Sequence, residues 1–198
     1  MSAYIKWFNE TGIDDVPEVG GKNASLGEMY RNLIDEGVRV PNGFAITASA
    51  YRYVLDANHA WEKLHEALGG LDPDNVKDLQ ARGAKAREIV NACQLPDDLS
   101  AEILTQYAKL KEEYGDDVSL AVRSSATAED SPEASFAGQN DTYLNISSED
   151  ALLDAYLRCL ASNFTDRSIH YKYDNHFDYY KVYLCVVVMK MVRSDEGA

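Results

Sequence analysis

The sequence predicts an α+β domain in which a mixed sheet is flanked by helices. Two patterns carry this expectation. Short apolar runs bounded by turn residues appear at Tyr4-Ile-Lys-Trp-Phe8, after Val40-Pro-Asn-Gly-Phe44, at Val118-Ser-Leu-Ala-Val122, at Thr142-Tyr-Leu-Asn-Ile146 and across Val182 to Val192. Between them lie longer stretches whose apolar residues recur every three or four positions, the mark of helices with one buried face. With 198 residues and 45% hydrophobic content, the chain can bury a sizeable core as one domain or two closely packed subdomains.

The elements follow in order. The aromatic residues of Tyr4 to Phe8 anchor a first strand. Gly20-Gly21-Lys22-Asn23 then precedes Leu26, Met29, Tyr30, Leu33 and Ile34, read as the buried face of a helix that closes at Gly37. Thr47 is the expected N-cap of a helix bearing Tyr51, Val54 and Leu55. Trp61 to Cys93 is helical and polar, with a break at Asp72-Pro-Asp-Asn75. Asp97 is the expected cap of a helix ending at Gly115, whose apolar stripe is Leu99, Ile103, Tyr107, Leu110 and Tyr114. Ser147-Ser-Glu-Asp150 resembles a capping box ahead of Leu152, Leu153, Tyr156, Leu157 and Leu160. The tyrosines at 171, 173, 179, 180 and 183 read as core or interface material. Val182 to Val192 reads as a continuously apolar strand covered on both faces. As the last strand it is expected to present an open edge, which favours self-association as a strand-paired or swapped homodimer.

Two stretches carry the chemistry. Gly20 and Gly21 stand at a helix start, where unpaired N–H groups and the macrodipole favour an anion, and Lys22 adds a full charge. The spacing is not that of a Walker A loop, and a solvated first-turn lysine is the competing reading. The second stretch joins Val122 to Thr142, longer than most structureless connections. Arg123 leaves the strand ahead of it, followed by Ser124, Ser125 and Thr127, and later by Gly138 and Gln139. A guanidinium fork, hydroxyl donors and unobstructed backbone N–H groups are what a phosphate requires. Local turns made by the Ser, Thr and Asp residues are the alternative.

Composition excludes several function classes. Thirty-three acidic against 19 basic residues give a net charge of −14, so neither nucleic acid nor an anionic membrane surface is expected as a partner. The longest apolar run falls far short of the ~20 residues of a membrane-spanning helix, and no signal pattern opens the chain, so a cytoplasmic protein is expected. Cys93, Cys159 and Cys185 are odd in number, widely spaced and set among apolar residues, as small core residues are. His59 and His65 have no metal-ligand spacing around them.

The run Ala121-Val-Arg-Ser-Ser-Ala-Thr-Ala-Glu-Asp-Ser-Pro-Glu-Ala-Ser-Phe-Ala-Gly-Gln-Asn-Asp-Thr-Tyr-Leu-Asn145 resembles the signature of the N-terminal nucleotide-binding domain of phosphoenolpyruvate synthases, the pyruvate, water dikinases. Val19 to Met29, Val40 to Phe44 and Lys190 to Asp195 match the same family in order, so the resemblance covers nearly the whole chain. It extends less closely to rifampin phosphotransferases and pyruvate, phosphate dikinases.

The resemblance implies the N-terminal part of an ATP-grasp-like domain over residues 1–198, continuing beyond Ala198. It implies an enzyme that makes phosphoenolpyruvate, AMP and phosphate from ATP, pyruvate and water through a phosphohistidine on a separate domain. Lys22 and Arg123 match the catalytic cations. Gly20, Gly21, Ser124, Ser125, Gly138, Gln139 and Thr142 match the phosphate side, and Met189, Met191 and Val192 match the hinge that holds adenine. Mg²⁺ is expected, with ligands outside this chain. Met189 departs from the family, which usually has Gln there. A rifampin phosphotransferase and a non-catalytic nucleotide-binding module are the alternatives.

Overall fold

The computed structural model describes residues 4–127 and 141–192. Five strands, β1 (Ile5–Trp7), β2 (Gly43–Ile46), β3 (Leu120–Ala126), β4 (Thr142–Ile146) and β5 (Leu184–Lys190), form one sheet in the order β1-β2-β5-β3-β4. Every neighbouring pair runs antiparallel, which corrects the expected mixed sheet. Hydrophobic periodicity reports which residues are strands but not their directions.

The last strand is the middle one. β5 pairs with β2 through Val186↔Ile46 and Val188↔Phe44, and with β3 through Val188↔Val122 and Leu184↔Ala126. Its run of Leu184 to Val188 is wholly buried, as expected for a strand covered on both faces. Being paired on both sides, it has no open edge, and the edge argument for a homodimer falls. Among the described residues the outer strands are β1 and β4. The strand is also shorter than expected from its apolar neighbours, and β3 is longer. β3 runs through Ala126, so Arg123, Ser124 and Ser125 lie within the sheet and not in the loop that follows it.

Register divides the sheet into two faces, because paired residues point the same way. One face carries Ile5, Ile46, Phe44, Val186, Val188 and Val122, all in the main hydrophobic cluster. Six helices contribute to that cluster: α3 (Ala48–Ala57), α4 (Ala60–Leu68), α5 (Val76–Asn91), α6 (Asp97–Tyr114), α7 (Glu149–Ala161) and α8 (Asp166–Asp174). The stripe expected on α6 is present, with Leu99, Ile103 and Leu110 fully buried. Pro96 and not Asp97 occupies the cap position, and its fixed φ suits the turn into the helix. Thr47 and Ser148 cap α3 and α7 through their hydroxyls, accepting from Ala50 N and Ala151 N. Ala151 stands at the position where a capping box needs Glu or Gln, so the box is incomplete.

The other face carries Lys6, Ala45, Val187, Arg123 and Thr142 in one row. Two helices belong to it, the short α1 (Val16–Val19) and α2 (Gly21–Leu33), joined through a small cluster of Val19, Ala24 and Ala45. On α2 the buried positions are Gly21, Asn23, Ala24 and Gly27, while Met29 and Ile34 are 40% and 39% exposed. The large-residue stripe expected to be inside is therefore not the packing face. Small residues win because they let the helix backbone approach closely. A Cβ on Gly27 would meet the Thr11 carbonyl oxygen at 2.5 Å.

Candidate functional site

The start of α2 sits against β3. Gly20 takes φ +80°, the region that glycine enters without penalty, and a Cβ there would meet the Ser125 carbonyl oxygen at 2.7 Å. The Lys22 backbone N–H donates to Ser125 Oγ at 3.1 Å. Beside this joint the Cys185 thiol donates to the Glu18 carbonyl at 3.2 Å, and Asn23 Nδ2 donates to the Val19 carbonyl at 2.7 Å. These contacts dock the first turn of α2 on the end of β3.

Arg123 lies two residues before Ser125, on the same face. It pairs with Val187 of β5 on one side and Thr142 of β4 on the other. Its side chain is half-buried, and its Nε is enclosed without a hydrogen-bond partner among the described residues. A buried donor left unpaired costs about 1–3 kcal/mol. Asn23 Oδ1, on α2, is a buried acceptor in the same condition. Thr142 is exposed at the sheet edge. Ser124 turns to the opposite face, where its hydroxyl donates to the Asp141 carbonyl at 3.3 Å. Gly138 and Gln139 lie outside the described residues.

Met189, Met191 and Val192, the residues that match the family's hinge, stand at the far end of the same face. Met189 pairs with Gly43 and Ala121, the Met191 N–H donates to the Ser119 carbonyl at 2.8 Å, and Val192 is exposed. Around Met191 and Val192 opens a cleft of about 770 Å³, walled by Ile34, Val38, Pro41 and Tyr114. The Lys190 ammonium lies 4.7 Å from the centre of the Tyr114 ring. From the Ser125↔Cys185 pair to the Leu120↔Lys190 pair is five residues, about 17 Å along the strand at ~3.3 Å each. The 13 residues of α2 span about 20 Å at ~1.5 Å each, from the joint with Ser125 towards Ile34 and the cleft. One helix thus connects the two ends of the face. Nothing in the apolar periodicity of the sequence pointed to this cleft, because its walls come from the end of α2, the turn before β2 and the end of α6.

Two histidines contact residues of the C-terminal half. His65 stacks on Tyr180 with ring centres 3.8 Å apart, and His170 pairs with Asp174 at 2.9 Å. Among the described residues no group of three or more His, Cys, Asp or Glu side chains could hold a metal ion. No helix there is long and apolar enough to cross a membrane. The three cysteines are buried and none is joined in a disulfide.

The family model for the pyruvate phosphate dikinase AMP/ATP-binding domain matches residues 16–198. The chain belongs to this family. It is 51% identical to the phosphoenolpyruvate synthase of Aquifex aeolicus over 197 residues, covering 99% of this chain and 23% of that protein. The phosphoenolpyruvate synthases of Synechocystis and Escherichia coli are 48% and 45% identical, each over 98% of this chain and 24% of their own length. The chain therefore spans about a quarter of the length of these relatives, at their nucleotide-binding N-terminal region. Family membership bears on the geometry above. An AMP/ATP-binding domain needs a place for an anionic chain and a place for a flat base, and this face has a cationic end at the start of α2 and, at the other, a cleft that mixes apolar residues with Arg39, Asp117 and Lys190.

Proposed function

We propose that the face carrying α2 is one wall of an ATP-grasp-like site, with the phosphates at the α2–β3 joint and adenine at the cleft beside Met189, Met191 and Val192. The observation that carries this reading is the placement of Lys22 and Arg123. One stands at a helix N-terminus and the other on the adjoining strand with a buried Nε that has no partner among the described residues. An anion at that point would meet the helix dipole, the ammonium of Lys22 and the planar fork of Arg123. Gly20 and Gly21 keep side chains away from it, and Thr142 pairs with Arg123 in the same row.

Phosphoryl transfer is mostly positioning and charge neutralisation, so cations held in fixed directions are the protein's contribution here. In the full-length protein we assign the pyruvate, water dikinase reaction, in which a histidine on a separate domain takes a phosphoryl group from ATP and passes it to pyruvate, while water takes the other phosphoryl group, leaving AMP, phosphate and phosphoenolpyruvate. The described residues offer no group of three or more carboxylates for Mg²⁺. The reading places the enzyme in the cytoplasm.

The test is pyruvate-dependent release of AMP from ATP by the full-length protein and its variants. Arg123→Ala is expected to lose more turnover than Lys22→Met, because a fork bridges two phosphate oxygens and an ammonium acts at one point. Losses within a factor of about two for both variants would remove the phosphate assignment.

A further inference from the structure

A helix usually satisfies its first N–H groups with the side chain of its own N-cap. The N-cap of α2 is Gly20, which has none. The acceptor comes instead from another strand, since Ser125 Oγ takes the N–H of Lys22 at 3.1 Å. We infer that Ser125 is a positioning residue, a cap supplied in trans that holds the first turn of α2, and with it the Lys22 side chain, at a fixed place relative to Arg123. This rests on the phosphate reading above.

Three observations support the assignment. Ser125 is fully buried within β3 and paired with Cys185, so its oxygen cannot wander with a loop. The contact is close on both sides, because Gly20 lies directly over the Ser125 hydroxyl and carbonyl and any Cβ there would push the helix off the strand. Finally, Ser125 and Arg123 share a face two residues apart, about 7 Å along the strand at ~3.3 Å per residue. The joint that holds Lys22 and the backbone that carries Arg123 are therefore one rigid piece. Ser125 is fully buried beneath Gly20 and its oxygen accepts from the helix, so the residue faces α2 and not solvent.

A double-mutant cycle in the full-length protein tests this, reading kcat/KM for ATP. Ser125→Ala alone is expected to lose about five- to tenfold, the range of one hydrogen bond's net contribution. In a Lys22→Met background the same substitution is expected to cost less than about twofold, since nothing remains to position. An undiminished loss in that background overturns the inference, because Ser125 would then contact phosphate itself or serve only the fold. Full activity of Ser125→Ala beside an impaired Lys22→Met also overturns it while leaving the phosphate reading intact. Full activity of Lys22→Met removes both. If Ser125→Ala does not fold, amide hydrogen exchange in the wild type decides. The Lys22 amide is expected to be protected well beyond the frayed first turn of an ordinary helix, and rapid exchange contradicts the cap.

Discussion

The two faces of the sheet are built from different materials. The face under α3 to α8 packs large side chains, among them Phe44, Tyr51, Leu64, Tyr107 and Tyr156, each no more than 1% exposed. The face under α1 and α2 packs glycine, alanine and valine, and between them it places Lys6, Arg123 and Ser125. Large residues bury more apolar area and supply most of the stability. Small ones let a helix terminus approach a strand backbone, which concentrates N–H donors and charge at one spot. The large-residue core and the charged, small-residue face are segregated by the pleat, with alternate residues of a single strand serving each. Within β3, Val122 and Ser124 belong to one face and Arg123 and Ser125 to the other.

That segregation can be broken on the core side first. Phe44→Ala is expected to destabilise the fold by about 3–5 kcal/mol in denaturant titration, from lost burial and the cavity left behind. A cost below about 1 kcal/mol would mean that this face is not the structural one.

A smaller effect is expected from Lys172, a fully buried lysine on the core side. Its ammonium donates to the Asn163 carbonyl at 2.6 Å and to Asn163 Oδ1 at 2.7 Å, and burial lowers its pKa from 10.5 to about 7. Between those values the unfolded chain holds the proton that the folded chain has released, so stability rises with pH across that window. Measured against Lys172→Met, the wild type is expected to gain about 1–2 kcal/mol from pH 7 to pH 9. This is less than the full shift implies, because the two short hydrogen bonds favour the charged form. Equal pH slopes for the two proteins would show that Lys172 keeps its ordinary pKa.

The smallest effect sharpens the other face. Met189 sits on it, paired with Gly43 and half-buried. Met189→Gln is expected to tighten ATP binding in the full-length protein by about 0.5–1.5 kcal/mol if the amide gains one hydrogen bond. Unchanged affinity in calorimetry would mean that base recognition uses backbone groups alone.

Much of this arrangement was legible in the residues. β4 spans the stretch expected for it, and α3, α6 and α7 follow their apolar stripes, because large buried side chains at helical spacing leave a strong periodic signal. The α2 face was not legible in the same way. Its packing residues are glycine and alanine, which carry little hydrophobic signal, so Met29 and Ile34 were misplaced inside. Strand direction and the central place of β5 depend on how the eight α-helices between the described strands route the chain, which no local pattern encodes. For the site, residue type indicated Lys22 and Arg123. The joint through Ser125 required the register that sets β3 beneath the start of α2.

The central claim is that Arg123 serves the ligand and not the fold. Measuring both the ATP dissociation constant and the unfolding free energy of Arg123→Ala in the full-length protein tests it most directly. ATP binding is expected to weaken by about ten- to a hundredfold, as for loss of a charge-assisted contact, with stability no lower than that of wild type, since a buried donor without a partner among the described residues is removed. Unchanged ATP affinity together with a loss of several kcal/mol in stability would contradict it, and would make Arg123 a structural residue on a face that does not bind the phosphates.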